Sequence, residues 1–288
     1  MDASIDFQAI PRVAAGRSLG GRETQQDDLV CFHDASEDVH LLVLADGMGG
    51  DGAGELASEG VVHIARRLWE SRLWQEQPSS LFLESLCQQA HEELRRRRMG
   101  LADGEPHSTV VAILVRGGQV SWVHVGDSRL YRFRRGRLIG RTEDHSVAQL
   151  KRQRGELTER ELANDPDQHK LLRGLGGSEA PVVEHGCALL RADQTFVMCS
   201  DGVWEQLTTE ELGRLSSRRD QHDALREALA LAVERGGMHG DNVALIFARL
   251  GPDGWIRRWC DGFWSVVRRA VATRRRTGEH AATLRNEV

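Results

Sequence analysis

The chain has 288 residues, 40% of them hydrophobic and 28% charged, and a formal net charge of −5 at pH 7. This length allows one large domain or two small ones, and the acidic balance gives no reason to expect a nucleic acid partner. The five cysteines form no CxxC pair, which fits a reducing compartment. Neither a signal peptide nor an apolar run of membrane-spanning length is evident, so the sequence predicts a cytoplasmic protein.

Strand-like runs of β-branched and apolar residues recur along the chain. In chain order they cover residues 39–46, 108–117, 119–127, 129–136, 195–201 and 242–250. The glycine pair at 117–118 stands at hairpin spacing, and residues 127–128 and 135–136 mark two further tight turns. The pattern predicts a meander of antiparallel strands.

Two helical segments separate the first of these strands from the second. Apolar residues recur on one face of residues 53–73 and again of residues 79–98, and a third helical stretch covers about 221–235. Because few strands alternate singly with helices, a parallel sheet is disfavoured. A layered α+β architecture is expected, with antiparallel sheets inside and pairs of helices outside.

Residues 141–180 differ from the rest of the chain in being polar, with short helical pieces and glycine breaks. We expect them to form a surface excursion. Its basic residues Lys151, Arg152 and Arg154 would favour phosphorylated or acidic partners, or would simply form a solvated helix face.

Five short segments of the sequence share one pattern, an aspartate beside a glycine or at the end of a predicted strand. They are QQDD (25–28), ADGMGG (45–50), VGDSR (125–129), CSDG (199–202) and HGDN (239–242). Apolar runs lead directly into Asp46, Asp127 and Asp201, and Asp241 begins a strand. A single Asp-Gly pair is usually only a turn. Several carboxylates gathered without basic partners would repel one another, and all-oxygen ligation suits Mg²⁺, Mn²⁺ or Ca²⁺.

Taken together, these motifs resemble the metal-dependent type 2C protein phosphatases, the PPM family, in their bacterial single-domain form. The motifs, in order, are GRETQQDD, LADGMGG, STVVAIL, HVGDSRLYRFRRGRL, TEDHS, CSDGVWEQL and GDNVALI. The resemblance implies a catalytic domain over residues 1–250, folded as an antiparallel two-sheet β-sandwich flanked by pairs of α-helices. Residues 141–180 would be the variable flap beside the active site, with a role in substrate selection.

The resemblance also implies two divalent ions, Mn²⁺ or Mg²⁺. Asp46 would bridge them, with the backbone carbonyl of Gly47 on one ion and with Asp201 and Asp241 on the other. A bridging water of lowered pKa would attack phosphorus in line. The implied activity is hydrolysis of phosphoserine and phosphothreonine in proteins, with no phosphoenzyme.

Four further residues receive supporting roles from the same resemblance. Asp27 would accept hydrogen bonds behind the metal-bound waters, and Asp127, together with Asp201, would hold a third, weaker ion. Arg22 would grip two phosphate oxygens at once, and Asn242 would orient a group that ligates the metal.

The glycine-rich motif departs from the family pattern at two positions. Bacterial members commonly carry His where this chain has Asp51, and animal members carry a proposed general acid where it has Met48. The leaving group therefore lacks an evident proton donor among the motif residues, so His145 or a metal-bound water is the candidate. The alternatives to an active protein phosphatase are a catalytically weak phosphoprotein-binding regulatory module and a small phosphate-ester metallohydrolase.

Residues 251–288 lie beyond the region of resemblance. Within them, aromatic and aliphatic residues recur at helical spacing opposite a set of arginines over residues 254–276, which predicts a basic amphipathic tail. Such a segment could dock on a partner, on the chain's own acidic body or on an anionic membrane surface, or stay disordered. The expected partners are a phosphorylated protein substrate and an opposing bacterial Ser/Thr kinase, and a monomer is expected.

Overall fold

The computed structural model describes residues 5–50, 52–100, 104–162 and 165–251. Within these ranges the strands are β1 (Asp6–Ile10), β2 (Val13–Ser18), β3 (Asp27–Asp34), β4 (Val39–Met48), β5 (His107–Ser108), β6 (Val110–Arg116), β7 (Gln119–Val125), β8 (Arg129–Arg134), β9 (Arg137–Arg141), β10 (Glu184–Leu189), β11 (Gln194–Cys199) and β12 (Val243–Ala248). The helices are α1 (Ala53–Glu70), α2 (Leu73–Glu76), α3 (Ser79–Arg98), α4 (Val147–Gln153), α5 (Glu159–Leu162), α6 (Asp201–Trp204), α7 (Thr209–Ser216) and α8 (Gln221–Gly236). The predicted strands and the three long predicted helices are all present, with ends that shift by a few residues.

The strands form two sheets with antiparallel pairing throughout. The first sheet has the order β1-β2-β12-β11-β8-β9, and the second has the order β10-β7-β6-β4-β3, with the short β5 paired to β4. The helices α1 and α3 pack on the second sheet, and α7 and α8 pack on the first. The predicted α+β sandwich flanked by helix pairs is confirmed.

The alternation of β4 shows how the sequence builds these layers. Leu42 and Leu44 pack in the core between the sheets, in one cluster with Phe196 of β11. Leu41 and Val43 point to the opposite side and pack in the cluster beneath α1 and α3. Because successive side chains of a strand face opposite ways, a continuous apolar run is what a strand covered on both faces requires.

The predicted meander is only partly correct. The turns at 117–118 and 135–136 join paired strands, and both residues of each turn have positive φ. Residues 126–128, however, carry the chain from β7 in the second sheet to β8 in the first. Turn residues report a local change of direction, and they do not reveal which sheet the next strand joins. The crossing places Asp127 at an end of both sheets.

Among the described residues, no helix combines the length and the apolar character needed to cross a membrane. The predicted amphipathic tail lies outside the described residues beyond Gly251.

The crossing depends on Gly126, which has a φ of 106° and where a Cβ would lie 2.6 Å from Cγ2 of Thr109. Gly117 also has positive φ, but a Cβ there meets open space. We expect Gly117→Ala to lower the free energy of unfolding by about 1 kcal/mol and Gly126→Ala to lower it by about 2 kcal/mol more, because the clash adds to the strain. Urea denaturation of both variants measures the difference, and equal losses would contradict a tight crossing.

Candidate metal centre

Five aspartates converge at one end of the sandwich. Asp27 of β3 lies directly opposite Asp46 of β4 in the register of the two strands. Asp201 follows β11 as the first residue of α6, Asp241 precedes β12, and Asp127 lies in the crossing between the sheets. The charges of the other four all act on the Asp46 carboxyl group. The structure therefore brings together all five acids that the motifs singled out.

The acids destabilise one another's charged forms. Desolvation at the sheet ends, followed by the negative charges of the other four acids, raises the pKa of Asp46 well above its usual value. Burial also raises the pKa of Asp27, which is 2% exposed, and Asp201 and Asp241 raise it further, against a lowering hydrogen bond from Ser200. Such a cluster has the electrostatic character of a cation site.

The donor atoms fit a hard divalent cation. The carboxylates and the Gly47 carbonyl offer oxygen ligands, which Mg²⁺ and Mn²⁺ prefer. A Cβ at Gly47 would lie 1.9 Å from the Gly54 carbonyl oxygen, so the backbone approaches its neighbours as closely as only glycine allows. Oδ1 of Asp127 is buried and has no hydrogen-bond partner among the described residues. An unsatisfied buried carboxylate oxygen favours an ion or its waters in that place.

Two cationic side chains lie at the rim of the cluster. Nη2 of Arg22 is 2.7 Å from Oδ2 of Asp241, and its side chain is 53% exposed. Nδ1 of His169 lies 3.9 Å from Oδ2 of Asp201 and 3.5 Å from Oε1 of Glu205. The nearby Asp201 carboxylate is the main cause that raises the pKa of His169 to about 9, and the charge of Glu205 adds to it.

Asn242 fastens the segment that leads into β3. Its Nδ2 donates to the carbonyls of Leu19 at 2.9 Å and Thr24 at 3.0 Å, and its Oδ1 accepts from the Gln26 amide at 2.7 Å. The side chain is 2% exposed. Asn242 thus fixes the backbone that carries Asp27, which is an indirect contribution to the site.

A buried ion pair that the sequence analysis missed supports Asp127. Arg129 donates from Nε and Nη2 to the two carboxylate oxygens of Asp144 at 2.8 and 2.6 Å. Its guanidinium carbon lies 3.6 Å from the ring centroid of Trp204, and the indole N–H of Trp204 donates to the Asp127 carbonyl at 3.0 Å. The pair therefore connects the crossing with α6, where Asp201 begins the helix.

The proton-donor role predicted for His145 does not fit its surroundings. Nδ1 accepts from the Gly126 amide at 3.1 Å, and Nε2 lies 3.3 Å from both Oε2 of Glu184 and Nη1 of Arg173. The ring stacks on His124 with centroids 4.3 Å apart and is only 7% exposed. Burial, and then the His124 charge, lowers the pKa of His145 to about 4. Its nitrogens brace the crossing and the flap, and neither has a hydrogen bond to the five aspartates.

His169 is instead the histidine that approaches the acids, and the sequence analysis did not find it. It lies in the flap, where the polar sequence carries no periodicity that could place a side chain. Beside it is a cavity of about 480 Å³ whose lining includes Met48, Leu172, Arg173 and Val182. The cavity combines apolar side chains with charged ones, Arg173 and Glu179, next to the aspartate cluster.

The basic residues of the flap are mostly engaged within it. Nζ of Lys151 lies 3.0 Å from Oδ1 of Asp165 and 2.7 Å from Oδ2 of Asp167, and Nη2 of Arg152 lies 2.9 Å from Oε1 of Glu143. These contacts hold the flap together. The expectation that they recognise acidic substrates is therefore not supported for Lys151 and Arg152.

The fold is a two-sheet sandwich with a cluster of five aspartates at one end, and comparisons with known proteins identify the class of the chain. The family model described as protein phosphatase 2C matches residues 16–234. The chain therefore belongs to the protein phosphatase 2C family, as the motifs indicated.

Two proteins named as serine/threonine phosphatases are similar to the chain. Serine/threonine protein phosphatase PstP of Mycobacterium tuberculosis (strain CDC 1551 / Oshkosh) is 30% identical over 219 residues, which cover 73% of this chain and 40% of PstP. Serine/threonine phosphatase stp of Listeria innocua is 28% identical over 223 residues, which cover 74% of this chain and 86% of stp.

Solved structures agree with this classification. The crystal structure of M. tuberculosis PstP/Ppp matches with a TM-score of 0.72 at 27% identity, over 84% of this chain and 99% of that one. The PstP catalytic domain in complex with 2 manganese ions matches with a TM-score of 0.68 at 26% identity, over 85% and 99%.

The Arg129–Asp144 pair yields a stability prediction. We expect Asp144→Asn to lower the free energy of unfolding by about 3 to 5 kcal/mol, because it leaves a buried guanidinium without its counter-charge. Glu227→Gln is the matched control, since Glu227 and its partner Arg218 are both more than 40% exposed and such pairs contribute about 1 kcal/mol or less. Urea denaturation compares the two, and similar losses would refute the supporting role of the buried pair.

Proposed function

We propose that the chain hydrolyses phosphoserine and phosphothreonine in proteins, with two Mn²⁺ or Mg²⁺ ions held by the aspartate cluster. The convergence of five acids in a member of the protein phosphatase 2C family carries this proposal. The relatives PstP and stp are named as serine/threonine phosphatases, and PstP has been solved with manganese.

In this proposal the Asp46 carboxylate, the Gly47 carbonyl and the carboxylates of Asp201 and Asp241 would hold the two ions. Asp127 with Asp201 would hold a third ion. When bound, such ions would supply positive charge beside the phosphate group and would lower the pKa of a water molecule that can act as nucleophile.

The remaining residues bind and orient. Arg22 lies at the exposed rim, where release from Asp241 would let its guanidinium donate to two phosphate oxygens. Ser200 donates from Oγ to Oδ2 of Asp27 at 2.6 Å and accepts from the Ala244 amide at 3.0 Å. Ser200 thus fixes the orientation of the Asp27 carboxylate, which would accept hydrogen bonds from the waters of the centre.

We assign to His169, and not to His145, the role of donating a proton to the oxygen of the leaving group. His169 is 58% exposed on its side chain and lies within 3.9 Å of the Asp201 carboxylate, so a departing serine or threonine oxygen could reach it. The cavity beside His169 would take the peptide that flanks the phosphorylated residue. An opposing bacterial Ser/Thr kinase and a monomeric state stay predictions. The alternative of a catalytically weak phosphoprotein-binding regulatory module gains no support, because all five aspartates are intact.

The first test concerns the bridging carboxylate. We expect Asp46→Asn to reduce Mn²⁺-dependent hydrolysis of a phosphothreonine peptide by at least about a hundredfold, because several kcal/mol of stabilisation depend on the ions. Asp34→Asn, at the other end of the same hairpin, is the control and should keep its rate. Equal rates for Asp46→Asn and the wild type would exclude the two-metal assignment.

The second test separates the two histidines. We expect His169→Ala to slow hydrolysis of a phosphothreonine peptide by about a hundredfold while p-nitrophenyl phosphate, whose leaving group needs no proton, is hydrolysed nearly as fast as by the wild type. His145→Ala should change both substrates by the same factor, because it acts through packing. A selective loss on the peptide in His145→Ala, with none in His169→Ala, would reverse the assignment.

A further inference from the structure

A second group of metal-ligating side chains lies at the opposite end of the hairpin formed by β3 and β4. His33 and His40 are directly opposite one another in the register of these strands, and their rings stack with centroids 4.2 Å apart. Asp46 follows His40 by six positions along β4, which is about 20 Å at the rise of a strand. This group is therefore distinct from the aspartate cluster.

The turn between the strands adds a carboxylate to the two imidazoles. Asp38 adopts a φ of 51°, a left-handed conformation that Asp tolerates better than most residues. Its Oδ1 lies 3.6 Å from Nε2 of His33, which is beyond hydrogen-bond distance. One ligand atom each from His33, Asp38 and His40 can be chosen such that all three lie within 4.8 Å of one another.

The ring nitrogens of this group lack hydrogen bonds. His40 is 1% exposed, and neither of its nitrogens makes a hydrogen bond of normal geometry within the described part of the chain, although the Pro11 carbonyl lies close to the ring. Nε2 of His33 is also buried and makes no such hydrogen bond in the same part of the chain. Buried polar atoms normally have a partner, so three unsatisfied nitrogens beside a carboxylate are an observation that calls for a ligand.

We propose that His33, Asp38 and His40 form a binding site for a transition-metal ion, with Zn²⁺ as the ion they suit best. Two imidazoles and a carboxylate are a common zinc ligand set, with water in the fourth position. In a tetrahedral zinc site the ligand atoms are about 3.3 Å apart, close to the 3.6 Å between His33 and Asp38. Small side-chain movements would complete the geometry.

The surroundings of Asp38 also suit such a site. Arg12 pairs with Asp38 and donates from Nη1 to the Leu250 carbonyl at 3.1 Å. A hydrogen bond to the ligating carboxylate is the usual arrangement behind metal ligands.

The consequence would be structural. Through Asp38 and Arg12, the ion would connect the turn of β3 and β4 with the turn of β1 and β2 and with the end of β12 at Leu250. Zinc would then stabilise the end of the sandwich that lies away from the reaction, without a part in hydrolysis. The competing explanation is a simple ion pair between His33 and Asp38, which binds no metal.

The test is a calorimetric titration of the full chain with Zn²⁺ in excess Mg²⁺, which occupies the aspartate cluster but competes poorly for imidazole. We expect the wild type to bind one Zn²⁺ at this site and its thermal unfolding temperature to rise. His33→Asn and Asp38→Asn should weaken that binding at least tenfold and abolish the rise in unfolding temperature. Phosphatase activity in Mg²⁺ should be unchanged in both.

Two controls separate ligation from loosened packing. Arg12→Gln breaks the same ion pair as Asp38→Asn but keeps all three ligands, so it should still bind zinc. His63→Asn removes an exposed histidine of α1 and should behave as the wild type. Two other histidine–carboxylate groups among the described residues could also take Zn²⁺, His124 with His145 and Glu184, and His169 with Asp201 and Glu205, so the comparison is of stoichiometry. A number of bound Zn²⁺ ions that is the same in the wild type and in His33→Asn or Asp38→Asn would overturn the proposal.

Discussion

The carboxylates of the five aspartates repel one another at one end of the sandwich, and the fold has to hold them together against this repulsion. Asp27 and Asp46 are cross-strand partners, and Asp127, Asp201 and Asp241 surround them. Like charges this close disfavour the folded state unless a cation intervenes. The protein therefore needs a rigid frame to hold the acids together and divalent ions to make their proximity favourable.

The fold meets this need by fixing the backbone at each aspartate, and the backbone in turn sets the positions of the carboxylates. Gly126 lets the chain cross from β7 to β8 at the point where Asp127 joins the cluster. The Arg129–Asp144 pair then holds the start of β8 against Trp204. The side chains that position the centre are thus buried and paired, while those proposed to meet substrate lie in the flap or at the rim. The residues that stabilise the fold are therefore different from those proposed to recognise the substrate.

Local sequence patterns predict much of this arrangement, but not all of it. The helix α1 was predictable because burial on one face leaves apolar residues at helical spacing, and β4 because burial on both faces requires a continuous apolar run. The sheet crossing was not, since turn residues such as Asp127 look alike whichever strand follows. His145 and His169 could not be ranked either, because their places depend on how an aperiodic flap folds over distant strands.

If the aspartate cluster is unfavourable without ions and favourable with them, the unfolding of the wild type and of Asp46→Asn should respond differently to Mn²⁺, and denaturation of both proteins with and without Mn²⁺ measures this. In chelator the variant should be at least as stable as the wild type, because the substitution relieves repulsion. In Mn²⁺ the order should reverse, because only the wild type gains the binding energy of both ions. A wild type that is the more stable protein in chelator, or an equal gain from Mn²⁺ in both, would contradict this dependence on ions.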